Sequence, residues 1–143
     1  MSISLNKEQF LRNFLQEVWN EKRFNKIQTY VHPKYHIELD AGDPWEGKTI
    51  NPAEFIERLH YSFDSFPDMH FEVTSCQELE DRVIVDWILT GTNLGPIGDF
   101  PATGKRIRTT GNTVYYFKDG LISGHHQVFD RITVTKQLGF LSA

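Results

Sequence analysis

A chain of 143 residues and 16.7 kDa, 39% hydrophobic and 24% charged, has the size and balance of one globular domain, which excludes a disordered or purely solvated chain. Its 13% aromatic share, with eleven Phe, five Tyr and three Trp, is enough to fill a core and to line an apolar cavity besides. A net charge of −4 and a pI near 5.8 argue against a nucleic-acid groove, for which the one basic cluster, Lys105, Arg106 and Arg108, is too short.

Along the chain, Phe10, Leu11, Phe14, Leu15, Val18 and Trp19 recur at helical spacing behind polar residues that include Asn6 and Gln9, which predicts a helix over 6–20. A second short helical pattern, Phe24, Ile27, Tyr30 and Val31, ends at Pro33. The period then changes to two. Tyr35, Ile37 and Leu39 alternate with His36, Glu38 and Asp40, the pattern of a half-buried strand that Ala41-Gly42-Asp43-Pro44 breaks. Asn51-Pro52-Ala53-Glu54 reads as a helix start with a capping Asn, a first-turn Pro and a capping-box Glu. Phe55, Ile56, Leu59 and Phe63 form its apolar stripe up to Phe66-Pro67-Asp68.

After Pro67 the chain reads as strands over 70–79, 82–92, 106–117 and 121–133, with tight turns at Glu80-Asp81 and Asp119-Gly120. The fold class expected is α+β: a strongly curved antiparallel sheet with N-terminal helices on its concave face. Strands this long must twist and curl, so the sheet and helices make a cone with an internal cavity, and the loop over 93–104 is a plausible lip for it. A regular register from the Asp119-Gly120 turn sets Val114 opposite His125, Thr113 opposite His126 and Thr109 opposite Asp130. Asp130, Val128, His126, Thr113 and Tyr115 then share one face, and His125, Gln127, Phe129, Val114 and Tyr116 the other. One bulge would swap half of that list.

The segments Phe66-Pro67-Asp68-Met69, Thr90-Gly91-Thr92-Asn93-Leu94-Gly95, Pro101-Ala102-Thr103-Gly104-Lys105, Phe117-Lys118-Asp119-Gly120, and Asp130 with Gln137-Leu138-Gly139 occur in an order that resembles the SnoaL-like polyketide cyclases, also labelled ester cyclases. These fall in the nuclear transport factor two-like superfamily of cone-shaped α+β folds. The resemblance runs from about residue 8 to 140 and implies one SnoaL-like domain over 1–143. It also implies ring closure by intramolecular aldol condensation without metal or cofactor, with a carboxylate at the position of Asp130 as general acid/base. Two departures stand out: Asn93 where the family commonly has His after Gly-Thr, and Gly124-His125-His126 where it commonly has Glu-His-Trp.

The candidate catalytic residues are Asp130 and His126. Asp130 stands among Val128, Phe129, Ile132 and Val134, and a carboxylate desolvated by an apolar cavity gains basicity; its bland alternative is an ion pair or a strand-end cap. His125 and His126 are adjacent and so point to opposite faces of a strand, with one of them toward the cavity. Candidate substrate-binding residues are His36, Trp45, Trp87, Asn93 and Tyr115, with core packing as the alternative for each aromatic. No metal spacing and no phosphate-cradling glycine loop is present, so neither metal nor cofactor is expected.

The function expected is cofactor-free general acid/base chemistry, of aldol-cyclisation or isomerisation type, on a small hydrophobic carbonyl compound. The alternative is a non-catalytic protein that holds a small lipophilic ligand in the same cavity. Apolar residues on both strand faces suggest a homodimer through the sheet, and no nucleic-acid or membrane partner is expected. The single Cys76 and the lack of a signal-like stretch point to the cytoplasm.

Overall fold

The computed structural model describes residues 6–140; the ends of the expected domain, 1–5 and 141–143, lie outside it. Helix α1 (Lys7–Phe14) starts at Asn6, whose side chain accepts from the Gln9 N–H, and runs on as a π-helical stretch, Leu15–Asn20. The predicted helix over 6–20 is therefore there, with its last turns widened. A 3₁₀ turn (Phe24–Lys26) leads into α2 (Ile27–Tyr30), which yields to β1 (Val31–Asp40) before Pro33 is reached. After β2 (Thr49–Ile50) comes α3 (Pro52–Ser65), with the capping box formed: Glu54 N–H donates to the Asn51 side chain and the Asn51 N–H to Glu54. Strands β3 (His70–Glu78), β4 (Arg82–Thr92), β5 (Arg106–Lys118) and β6 (Leu121–Phe129) follow, and α4 (Arg131–Leu138) ends the described chain.

The strands form one sheet in the order β2-β1-β6-β5-β4-β3. It is mixed rather than purely antiparallel, because β1 returns beside β6 in parallel. Register shifts in β1, β3 and β6 mark where the sheet bends. The helices pack inside the curve: Leu11, Phe14, Leu15, Val18, Phe55, Leu59 and Phe63 join Tyr35, Ile37, Val83, Val85, Trp87, Tyr115 and Ile122 in one core. The α+β class and the inward helices match the sequence reading.

Three local features depart from it, and all three bear on the site. The Asp119-Gly120 turn forms with positive φ at both residues, as a two-residue hairpin turn needs. Lys118 then faces Leu121 and Phe117 faces Ile122, but Tyr116 faces Gly124, so Ser123 is an extra residue in β6. Beyond it the pairs are Tyr115 with His125, Val114 with His126 and Thr113 with Gln127. The regular register expected from the turn is thus wrong by one residue, which exchanges the two faces of β6. A second irregularity lies in β1 between Ile37 and Leu39. It turns Asp40 inward, 3% exposed, and leaves Leu39 38% exposed, the reverse of the simple alternation. Finally, the chain does not continue as strand to 133: Asp130 is the N-cap of α4, its carboxylate accepting from the Thr133 N–H at 3.0 Å and from the Thr133 hydroxyl at 2.6 Å.

Candidate functional site

A cavity of about 280 Å3 opens between the concave sheet and the helices, near the lower end of the range for small-molecule sites. One end is apolar and aromatic, lined by Trp19, Phe66, Met69, Phe71, Trp87 and Phe129 among others. Phe71 meets Trp87 edge-on with ring centres 5.1 Å apart, and Trp87 leans on Phe129 at 6.2 Å. The other end is polar, formed by Asp40 and Tyr35 from β1, Arg58 from α3, His125 and Gln127 from β6, and Arg131 at the start of α4.

The two strand irregularities build this polar end. The β1 bulge brings Asp40 in, and the β6 bulge brings in His125 and Gln127. Gly124 lets β1 pass closely, since a Cβ there would lie 2.4 Å from the His36 carbonyl oxygen. Arg58 stands on the buried stripe of α3 between Phe55 and Leu59, 5% exposed. Its Nε donates to Asp43 at 2.8 Å and its Nη2 to Asp40 at 3.0 Å. Asp40 Oδ2 also faces His125 Nε2 at 2.9 Å and accepts from the Gln127 amide at 3.3 Å, while Arg131 lies 3.5 Å from Oδ1.

Charge decides the proton positions in this cluster. Burial alone would raise the Asp40 carboxyl, but the His125 hydrogen bond and the guanidinium groups of Arg58 and Arg131 outweigh it and hold the group below its ordinary value. Asp40 is therefore ionised and can only accept, so His125 Nε2 carries a hydrogen. Burial lowers His125 despite its Asp40 partner, so the ring is neutral at pH 7 and Nδ1 has a lone pair. Tyr35, fully buried and raised by that burial, donates its hydroxyl hydrogen to Nδ1 across 2.5 Å. The result is a directed line from the Tyr35 hydroxyl through His125 to Asp40.

This line makes a prediction about acid. Both folded-state values are depressed, so each group stabilises fully above its unfolded value and loses that contribution as pH falls through its folded value. Urea midpoints should be level above about pH 7, fall below the ordinary histidine value of 6.5, and fall further below the ordinary carboxylate value of 3.8. A midpoint that rises between pH 7 and 5 would contradict the neutral, buried His125.

The structure places the expected site residues unevenly. Trp87 and Tyr115 line the cavity. Asp130 does not: it is exposed on the outer side and its carboxylate caps α4, because the strand ends at Phe129. That cap also holds its carboxyl below the ordinary value, mainly through Thr133 and without burial, so the expected cavity environment is corrected. His126 is on the outer face 4.0 Å from Glu38, since the β6 bulge sends His125 inward instead. His36 is exposed, its Nδ1 3.0 Å from the Thr49 hydroxyl. Asn93 is buried but outside the cavity lining. Its amide donates to the Gly95 and Ser65 carbonyls and accepts from Thr103, tying the loop over 93–104 to the end of α3. Trp45 is outside the lining too, edge-on at 5.5 Å to Tyr61, which does line it.

Asp40, Arg58, Gln127 and Tyr35 were not among the sequence candidates. Among the described residues no group of three or more His, Cys, Asp or Glu is placed to hold a metal ion, and no helix is long and apolar enough to cross a membrane.

Comparison with known proteins agrees with this architecture. A candidate polyketide cyclase from Acidithiobacillus ferrooxidans is 38% identical and superposes with a TM-score of 0.88 over 99% of this chain and 100% of that one. IdmH, a candidate polyketide cyclase from Streptomyces antibioticus, is 22% identical with a TM-score of 0.78, covering 94% of this chain and 99% of its own. A SnoaL-like polyketide cyclase from Agrobacterium tumefaciens is 20% identical with the same TM-score of 0.78, over 95% and 100%. No curated protein matches the sequence significantly. The sequence model of the SnoaL-like polyketide cyclases matches residues 9–138, and with this fold and that coverage the chain belongs to the SnoaL-like polyketide cyclase family.

Proposed function

We propose that the protein is a cofactor-free enzyme that removes a proton alpha to the carbonyl of a small hydrophobic compound, leading to aldol ring closure or to isomerisation. The observation that carries this reading is the directed Tyr35, His125, Asp40 line at the polar end of an aromatic cavity. Family membership supports cyclase or isomerase chemistry of this kind.

The line suits proton removal without a change in its geometry. As the substrate C–H bond breaks, its proton passes to the Tyr35 oxygen while the Tyr35 hydroxyl hydrogen passes to His125 Nδ1. The C–H electron pair becomes the enolate. Burial strongly disfavours a free Tyr35 phenolate, so the two transfers are concerted and the proton ends on the imidazole. The imidazolium is stabilised by ionised Asp40 through the Nε2–H, and Arg58 keeps that carboxylate in place. The enolate then attacks a second carbonyl, closing a ring, or regains the proton at another carbon.

The test uses 2-tetralone in D2O, followed by proton NMR. Wild type should wash out the hydrogens alpha to the carbonyl well above the buffer rate. His125→Leu should lose about two to four orders of magnitude of that acceleration, the usual size of a general acid/base contribution. Binding of 2-tetralone without any acceleration in wild type would favour a lipophilic-ligand carrier and reject the enzyme reading.

A further inference from the structure

A second set of hydrogen bonds ends on the same Asp40 oxygen that His125 meets. Trp87 Nε1 donates to the Thr113 hydroxyl at 2.8 Å, that hydroxyl donates to Gln127 Oε1 at 2.8 Å, and the Gln127 amide nitrogen donates to Asp40 Oδ2 at 3.3 Å. Every link is forced in direction. An indole N–H can only donate, so the Thr113 oxygen accepts and its one hydrogen is left for Gln127. At the other end the ionised carboxylate can only accept, so Gln127 must turn its NH2 and not its oxygen toward Asp40. The amide orientation, ordinarily ambiguous, is thus set by the two ends of the chain. Trp87 and Thr113 are 3% and 0% exposed, so water does not compete for these links.

An amide nitrogen has two hydrogens, and only one is used. Gln127 lines the cavity, and among the described residues its second N–H has no partner. The hydroxyl of Tyr35 is committed to His125, the Arg58 guanidinium is held on Asp43 and Asp40 through Nε and Nη2, and Gln127 is the one side-chain amide among the described residues that line the cavity. We infer that Gln127 is the donor that binds the substrate's carbonyl oxygen and the enolate oxygen formed from it, with Thr113 and Trp87 as positioning residues that keep its amide turned the right way. A preoriented neutral donor of this type costs no reorganisation as charge develops on the oxygen. This rests on the reading of the cavity as a site for carbonyl compounds and adds the group that recognises the carbonyl.

The experiment compares 2-acetylnaphthalene with 2-isopropenylnaphthalene, which replaces C=O by C=CH2 at nearly the same shape, by quenching of Trp fluorescence. The quantity read is the ratio of the two Kd values, so general losses of packing cancel. Gln127→Leu should shift that ratio against the ketone by about three- to tenfold, the size of one neutral hydrogen bond, and Thr113→Val should shift it the same way by less. In wild type, the ketone and not the alkene should move one of the two Gln127 side-chain amide proton resonances downfield. In Thr113→Val those resonances should broaden as the amide becomes free to turn. The amide spectra of wild type decide the matter should Gln127→Leu fail to fold.

A ratio unchanged within twofold in Gln127→Leu, or wild-type amide resonances that do not distinguish ketone from alkene, would overturn the assignment of Gln127 and leave the proton line intact. Failure of wild type to bind either naphthalene would overturn the carbonyl reading of the cavity together with this inference.

Discussion

Arg58→Met is expected to destabilise the fold by about 3–5 kcal/mol, a large part of the total for a domain of this size. The guanidinium lies 5% exposed between two carboxylates, with Nε on Asp43 and Nη2 on Asp40. Met keeps an unbranched apolar stem but loses the guanidinium that lies 5.9 Å from the Trp19 ring centre and 5.6 Å from that of Phe55, which adds to the effect. What remains is Asp40, 3% exposed, and a half-buried Asp43 without their shared partner. Arg131, 3.5 Å from Asp40 Oδ1 and 43% exposed, offsets only part of that charge. Urea unfolding followed by circular dichroism measures the loss. Asp43→Asn added to Arg58→Met should recover part of it, because one of the two stranded charges is then gone. A loss below about 1 kcal/mol would mean that the pair is solvated and that Asp40 is not held as described.

The elements with strong local chemistry were readable in the sequence. The capping box at Asn51, the Asp119-Gly120 turn and the stripe of α1 each depend on residues within a few positions of one another, and all three formed as expected. The polar end of the cavity depends on features that local patterns do not encode. A single extra residue, Ser123, exchanges His126 for His125, and another shift in β1 exchanges Leu39 for Asp40. Each slip costs little in backbone energy but moves every side chain beyond it to the other face. The parallel return of β1 beside β6, which brings Asp40 to His125, is a contact across 85 residues that no periodicity reports.

One signal was available. Arg58 occupies a position of α3 that the helical period assigns to the buried stripe, between Phe55 and Leu59, and a buried arginine requires a carboxylate partner. Asp130 misled for the opposite reason. Its apolar neighbours suggested a continuing strand, whereas Asp followed three residues later by a Thr whose N–H it accepts is a helix start.

Asp40→Asn is expected to keep the shape of the cavity and remove its chemistry. The amide fills the same volume, but it cannot supply the negative charge that stabilises an imidazolium on His125, so the proton has no favourable place to rest. Alpha-proton exchange of 2-tetralone should fall by about two to four orders of magnitude. The affinity for 2-tetralone should change much less, since its body is held by the aromatic end around Phe71, Trp87 and Phe129. A matching loss of affinity and rate would place Asp40 in ligand binding instead of proton transfer.

The claim that the carboxylate supporting proton removal is Asp40 inside the cavity and not Asp130 on the outer side is tested by measuring that exchange rate in Asp40→Asn and Asp130→Asn side by side with wild type. Asparagine also caps helices well, so Asp130→Asn preserves the start of α4. Exchange is expected to fall at least a hundredfold in Asp40→Asn and to stay within about twofold of wild type in Asp130→Asn. A collapse of exchange in Asp130→Asn with Asp40→Asn near wild type would contradict that claim.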